Sequence, residues 1–225
     1  MKKRLFPLLI LLAATACSPS INPALRADVD ARAAALSIKE IAYPAPTTDV
    51  VIDPVAGSWS TMKVTDKNGH ISFVTYKLLE RNGQTLTMET SNDSYYDSSV
   101  HQITVVYSSD WMPQEFLAYR TQDKDGKVTD MEGPTLSLMN SIMRSWLPSI
   151  IVRVEGLPRE DAIVAAGTFQ QCGKTRYDAQ IGFIKTSSEV WLHPTVPFGS
   201  VKSVGDNGTL TELVDFGTSG ATAAF

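Results

Sequence analysis

The chain has 225 residues, 43% of them apolar and 20% charged, with 20 basic against 24 acidic side chains and a formal net charge of −4. Apolar residues are spread along the whole length, which suits one domain with a substantial core rather than a disordered chain. The acidic balance and the absence of any Lys/Arg run exclude a phosphate-neutralising surface, and so a nucleic-acid partner. They equally exclude a basic helix lying on a membrane.

Lys2, Lys3 and Arg4 precede an apolar stretch over residues 5–13, and Ala14-Thr15-Ala16 sets small side chains just before Cys17. That order is the order of an export signal. The apolar stretch falls short of the roughly 20 residues that a helix needs to cross a bilayer. The segment resembles a bacterial lipoprotein signal, with Ala14-Thr15-Ala16-Cys17 as the lipobox; an ordinary secretory signal that leaves Cys17 as a free thiol is the alternative. The resemblance implies that residues 1–16 are removed, that Cys17 carries lipid, and that residues 17–22 tether a single domain over residues 23–225 to the membrane. Because Ser18 and not Asp follows the cysteine, it also implies an outer-membrane, periplasm-facing location. Each buried methylene contributes about 0.8 kcal/mol, so two or more acyl chains hold firmly.

Loss of residues 1–16 removes three basic side chains and moves the net charge from −4 to −7. It also leaves Cys172 with no cysteine to pair with once Cys17 is lipidated, so stability must come from packing. No base or thiolate-favouring neighbour can be assigned to Cys172, which reads as a half-buried strand thiol.

Taken in order, residues 23–40 predict a helix, with Asn22 as cap, Pro23 at the first position, and Leu25, Val29 and Leu36 on one face. Residues 50–52 are β-prone. From Trp59 the period changes to two, and Asp66-Lys67-Asn68-Gly69 and Arg81-Asn82-Gly83 predict hairpin turns. A polar loop over residues 91–99 precedes a strand over 100–108. Residues 121–132 have the length of an EF-hand loop, but Thr121 stands at the first ligand position and the flanks read as strands. A Lys-Asp-Gly hairpin about Asp123-Lys124-Asp125-Gly126 accounts for them.

Residues 134–147 predict a second helix, bounded by Pro134 and Pro148, with Leu136, Met139, Ile142, Met143, Trp146 and Leu147 on one stripe. Such a stripe covers a core, and its methionines also suit apolar partners of variable shape. Strands over 161–171, 175–183 and 189–193 follow, joined by loops at 172–174 and 185–188. A last hairpin turns about Asp206-Asn207-Gly208, and residues 217–225 read as a fraying tail.

Helix, antiparallel hairpins, helix, more hairpins: this order predicts an α+β fold, a curved antiparallel sheet or unclosed half-barrel whose concave face is covered by helices. Ala166-Gly167-Thr168-Phe169, residues 190–202 from Val190-Trp191 through Pro197-Phe198-Gly199 to Lys202, and Leu213-Val214-Asp215-Phe216-Gly217 look like the closing strands of periplasmic proteins similar to the outer-membrane lipoprotein-sorting (LolA/LolB-like) group. That resemblance implies an unclosed barrel, helices as a lid, and acyl chains held inside. None of its ligand residues carries over residue by residue.

Candidate lining residues for an apolar ligand are therefore Phe73, Phe183 and Trp191 from the strands and Leu136, Met139, Ile142, Met143 and Trp146 from the second helix. His70, His101 and His193 stand in no metal-ligand spacing, and Gly-x-Ser-x-Gly is absent. The expectation is a non-catalytic lipoprotein, without cofactor, that binds lipid, lipoprotein acyl chains or another apolar ligand. The alternatives are an assembly lipoprotein holding a protein partner and, more weakly, a hydrolase using His101 or His193.

Overall fold

The computed structural model describes residues 20–46, 51–133, 136, 152–181 and 184–225. Cys17 and its signal, Phe183, and the second predicted helix beyond Leu136, with Met139, Ile142, Met143 and Trp146, lie outside the described residues. The elements are helix α1 (Pro23–Ala34) and strands β1 (Ala42–Tyr43), β2 (Val51–Ile52), β3 (Trp59–Thr65), β4 (Ile71–Asn82), β5 (Thr85–Ser94), β6 (Ser98–Tyr107) and β7 (Pro113–Gln122). They continue with β8 (Val128–Met131), β9 (Val152–Arg153), β10 (Arg159–Val164), β11 (Gly167–Ile181), β12 (Ile184–Leu192), β13 (Ser200–Gly205) and β14 (Leu210–Gly217). Among the described residues no helix is long and apolar enough to cross a membrane.

α1 starts where expected: the side-chain Oδ1 of Asn22 accepts from Ala24 N–H at 3.0 Å, and Pro23 opens the helix. It stops at Ala34 rather than residue 40, because tertiary hydrogen bonds take the chain away. Lys39 N–H donates to Ala165 O, and Ile41 O accepts from Thr168 N–H, which draws Ala42–Tyr43 alongside β11. This β1–β11 pair is parallel, a departure from the all-antiparallel expectation.

Two of the expected hairpin turns share one device. Asp66 accepts from Asn68 and His70 N–H, Asp123 accepts from Asp125 and Lys127 N–H, and a left-handed glycine follows each, Gly69 and Gly126. Two predicted loops are instead strand. Residues 172–174 and 185–188 run inside β11 and β12, and the break falls at Ala165-Ala166, where Gly167 takes φ 135°. The polar stretch 91–99 also pairs, leaving only residues 95–97 between β5 and β6.

One sheet runs in the order β1-β11-β12-β13-β14-β3-β4-β5-β6-β7-β8, with β10 on β11; β2 and β9 make a separate pair. It is therefore two meanders of sequential hairpins, joined where Thr65 of β3 meets Leu210 of β14, and the sheet is unclosed. Its β10–β11 hairpin folds back until Ala166 N–H reaches Leu213 O, and Met62, Phe169, Cys172, Trp191 and Leu213 pack there. α1 covers Phe73, Tyr95 and Val214 through Val29.

Cross-strand register separates the two faces of β4–β8. Lys77, Glu89, Gln102, Arg120 and Asp130 are successive partners on one face. The adjacent positions Leu78, Met88, Ile103, Tyr119 and Met131 are successive partners on the other, since neighbours along a strand point to opposite sides. Residues 217–225 do not fray: they lie against the polar face, with Ala221 N–H on Gly57 O and Lys77 Nζ on Thr222 O.

Candidate functional site

The apolar face of β4–β8 is the candidate site. Its row from Leu78 to Met131 is continued by Leu86, Val105 and Phe116, and Leu78, Leu86 and Val105 are wholly buried. Tyr107 shares this cluster, and Met88, Ile103, Trp111, Leu136 and Phe198 pack on it from its margins. Toward the other end of the strands the same face turns polar, through Thr90, His101 and Thr121. There His101 Nδ1 lies 2.9 Å from Tyr119 Oη and Nε2 lies 3.2 Å from Ser99 Oγ, and burial lowers the His101 pKa.

Two of the marginal aromatics sit in strained backbone. Trp111 has φ 58° and Phe198 has φ 63°, a left-handed conformation that costs a non-glycine residue about 1–3 kcal/mol. Short loops hold them there: Trp111 N–H donates to Ser108 O and Ser108 N–H to Met112 O, while Gly199 N–H donates to Val196 O. Gly199 takes φ 76°, and a Cβ there would stand 2.5 Å from Ile52 Cδ1, so the Ile52 side chain would have to move. Both rings are thus pressed onto the same cluster by loops that the surrounding packing over-determines.

Open space adjoins this face in two places. A groove of about 490 Å³ is lined by Leu117, Tyr119, Met131 and Leu136, with Arg120, Asp130 and Glu132 at its polar side. A second, of about 670 Å³, is lined by Val55, Ala56, Arg81, Gln84 and Trp111. Arg81 lies 4.5 Å over the Trp111 ring and is held by Asp53 at 2.6 and 3.3 Å and by Pro54 O at 2.9 Å. The chemistry on offer is apolar contact beside a cation–π pair, with Gln84, Arg120, Asp130 and Glu132 as polar lining groups.

The candidates from sequence are not gathered into one place. Leu136 lies on the apolar cluster just described. Phe73 is 3% exposed under α1, with the Arg32 guanidinium 4.2 Å above its ring. Trp191 belongs to the cluster under the β10–β11 hairpin, with Lys174 and Lys202 ammonium groups 4.6 and 5.3 Å from its ring. Trp111, which lines a groove, belongs to no periodic apolar pattern, and nothing local in the sequence marks a ring held by left-handed backbone.

His193 is buried with both ring nitrogens engaged by backbone: Nε2–H donates to Pro44 O at 3.2 Å and Nδ1 accepts from Thr195 N–H at 3.3 Å. Burial lowers its pKa, and the pair of contacts suits the neutral ring. Cys172 is fully buried rather than half-buried, and burial pushes its thiol pKa up to about 12, which keeps it protonated and unreactive.

No protein-family model matches this chain, and no curated protein matches it. A solved structure from Bacteroides fragilis NCTC 9343, described as an exported protein with a YmcC-like fold, aligns with 76% of this chain and 100% of its own at 10% identity and a TM-score of 0.42. A likeness of that degree carries no argument about function.

Proposed function

We propose that the chain is a non-catalytic lipoprotein, anchored at the outer membrane through Cys17, that binds lipid, a lipoprotein acyl chain or another apolar molecule on the apolar face of β4–β8. The observation that supports this most directly is the apolar row across five strands, Leu78, Met88, Ile103, Tyr119 and Met131, bordered by the groove that Leu136 lines. In this reading the Met- and Trp-rich stripe that begins at Leu136 is the lid over a concave face. Flexible thioethers suit it to chains of varied shape.

The test is native mass spectrometry of the full chain released gently from membranes. The expected spectrum shows an added apolar mass that is lost in Ile103→Glu, whose carboxylate stands in the middle of the row, while circular dichroism stays native. A wild-type protein that is ligand-free and takes up no fatty acid would overturn the reading. Capture of one protein partner and no lipid by crosslinking in cells would favour the assembly role instead.

A further inference from the structure

The polar face carries a second, unrelated arrangement around Glu89. This side chain is fully covered, and both carboxylate oxygens are engaged. Oε1 accepts from Lys77 Nζ at 2.6 Å, and Oε2 accepts from Gln102 Nε2 at 2.8 Å and from the backbone N–H of Ala224 at 2.9 Å. The same groups reach further along residues 221–225. Lys77 Nζ donates to Thr222 O at 3.0 Å, Gln102 Nε2 donates to Phe225 O at 3.2 Å, and the Arg120 guanidinium lies 5.1 Å from the Phe225 ring.

Apart from that ring, every one of these contacts is to peptide backbone. The sheet supplies an acceptor for one N–H, donors for two carbonyls and a cation for one aromatic ring, while the side chains of Ala223 and Ala224 are exposed. Backbone hydrogen bonds for affinity with a side-chain anchor for choice is how extended peptides are recognised. A buried carboxylate is costly unless hydrogen-bonded, and Lys77 and Gln102 hold Glu89 in place to receive the N–H. Burial pushes the Glu89 carboxyl upward, but the Ala224 N–H, the Gln102 amide and Lys77 outweigh it and hold the pKa below the usual carboxylate value.

The resident segment is lightly attached. It follows Gly217 and Gly220, the latter at φ 89°, and its backbone ties are the few just named with Ala221 N–H on Gly57 O. Segments held by a handful of hydrogen bonds open locally far more readily than the sheet beneath them.

We propose that Lys77, Glu89, Gln102 and Arg120 form a peptide-binding site on the polar face, filled in cis by residues 221–225, which takes a peptide segment from another chain, with an aromatic residue directly after the N–H that Glu89 accepts, when the resident one lifts. Arg120 also lines the groove beside the apolar row, but Lys77, Glu89 and Gln102 face the opposite side of the sheet, so the proposal stands or falls separately from lipid binding.

The test uses the full chain and a fluorescein-labelled peptide, Gly-Thr-Ser-Gly-Ala-Thr-Ala-Ala-Phe, followed by anisotropy. Wild-type protein binds it weakly, because the cis segment competes at an effective concentration on the order of millimolar. Ala224→Pro deletes the N–H that Glu89 accepts and frees the groove, so the peptide binds about tenfold tighter or better. Adding Gln102→Ala to that variant returns binding to the wild-type level or below. A natively folded Ala224→Pro chain whose residues 221–225 exchange their amides rapidly, yet which shows no saturable binding up to millimolar peptide, overturns the proposal. Should that variant fail to fold, hydrogen exchange on the wild type decides: excess peptide must accelerate exchange at Ala224, and unchanged exchange overturns the proposal equally.

Discussion

Replacing Lys77 by Met removes the ammonium that pairs with Glu89 while keeping the aliphatic stem. Lys77 is 21% exposed in its side chain and Glu89 is 0% exposed, so the pair is buried on the acid's side and partly solvated on the base's. The variant loses one charge-assisted hydrogen bond at 2.6 Å and one to Thr222 O at 3.0 Å, and leaves the carboxylate with Gln102 and Ala224 alone. Losing those bonds and stranding a buried charge costs about 2–4 kcal/mol, below the full cost of a fully buried pair because two neutral donors remain.

The pH dependence gives the sharper signature. In the wild type the folded Glu89 pKa is depressed, so the stability it contributes is present above its unfolded value and lost as pH falls through the folded one. Without Lys77 the hydrogen bond and charge that lower it are lost and the folded pKa rises relative to the wild type, so protonation relieves the variant. Urea unfolding followed by tryptophan fluorescence at about pH 7 and about pH 4 should therefore show a gap that narrows on acidification. Lys77→Met/Glu89→Gln should recover about 1–2 kcal/mol of the loss at neutral pH. A gap under about 0.5 kcal/mol, or one that widens in acid, would refute the reasoning.

Gly167→Ala should cost about 3 kcal/mol or more and lower Tm by about 6–12 °C, because a Cβ would stand 2.5 Å from Ile41 O in backbone at φ 135°; an unchanged thermal melt would contradict that. Cys172 should resist maleimide in the native protein and label only on unfolding, read by mass spectrometry against urea concentration. His193 and His101 are both held below their usual pKa by burial, so the unfolded chain takes up protons first. Stability should fall as pH drops from about 7.5 through about 5.5, and His101→Gln/His193→Gln should flatten that slope in urea titrations.

Much of the fold was legible because local chemistry decides it. Asx turns at Asp66 and Asp123 with a following glycine set their hairpins without help from distant residues, and Asn22 with Pro23 sets the start of α1. What the local sequence does not encode depends on partners far away in the chain. Nothing near residue 35 says that Lys39 will find Ala165, and nothing within 217–225 says that these small residues will lie on Glu89. Cys172-Gly173-Lys174 looks like a turn, yet Gly173 and Lys174 pair with Leu192 and Trp191 inside a long strand. The candidate site was half-legible in the same way. Apolar periodicity points to Leu136, but hydrophobicity alone cannot divide Phe73 under α1 from Trp191 under a folded-back hairpin.

The seam between β3 and β14 has a kinetic consequence. Within each meander every pairing joins sequence neighbours, so each can form from contacts that close short loops. Pairing Thr65 with Leu210 closes a loop spanning most of the domain, and the extra entropy over a hairpin is about 3 kcal/mol on logarithmic scaling. The seam should therefore set the folding rate, with two preformed half-sheets meeting along it. A circularly permuted chain that joins residue 225 to residue 21 and opens at a distant turn would cut the Thr65–Leu210 separation from 145 residues to about 60 and should fold modestly faster at little change in stability.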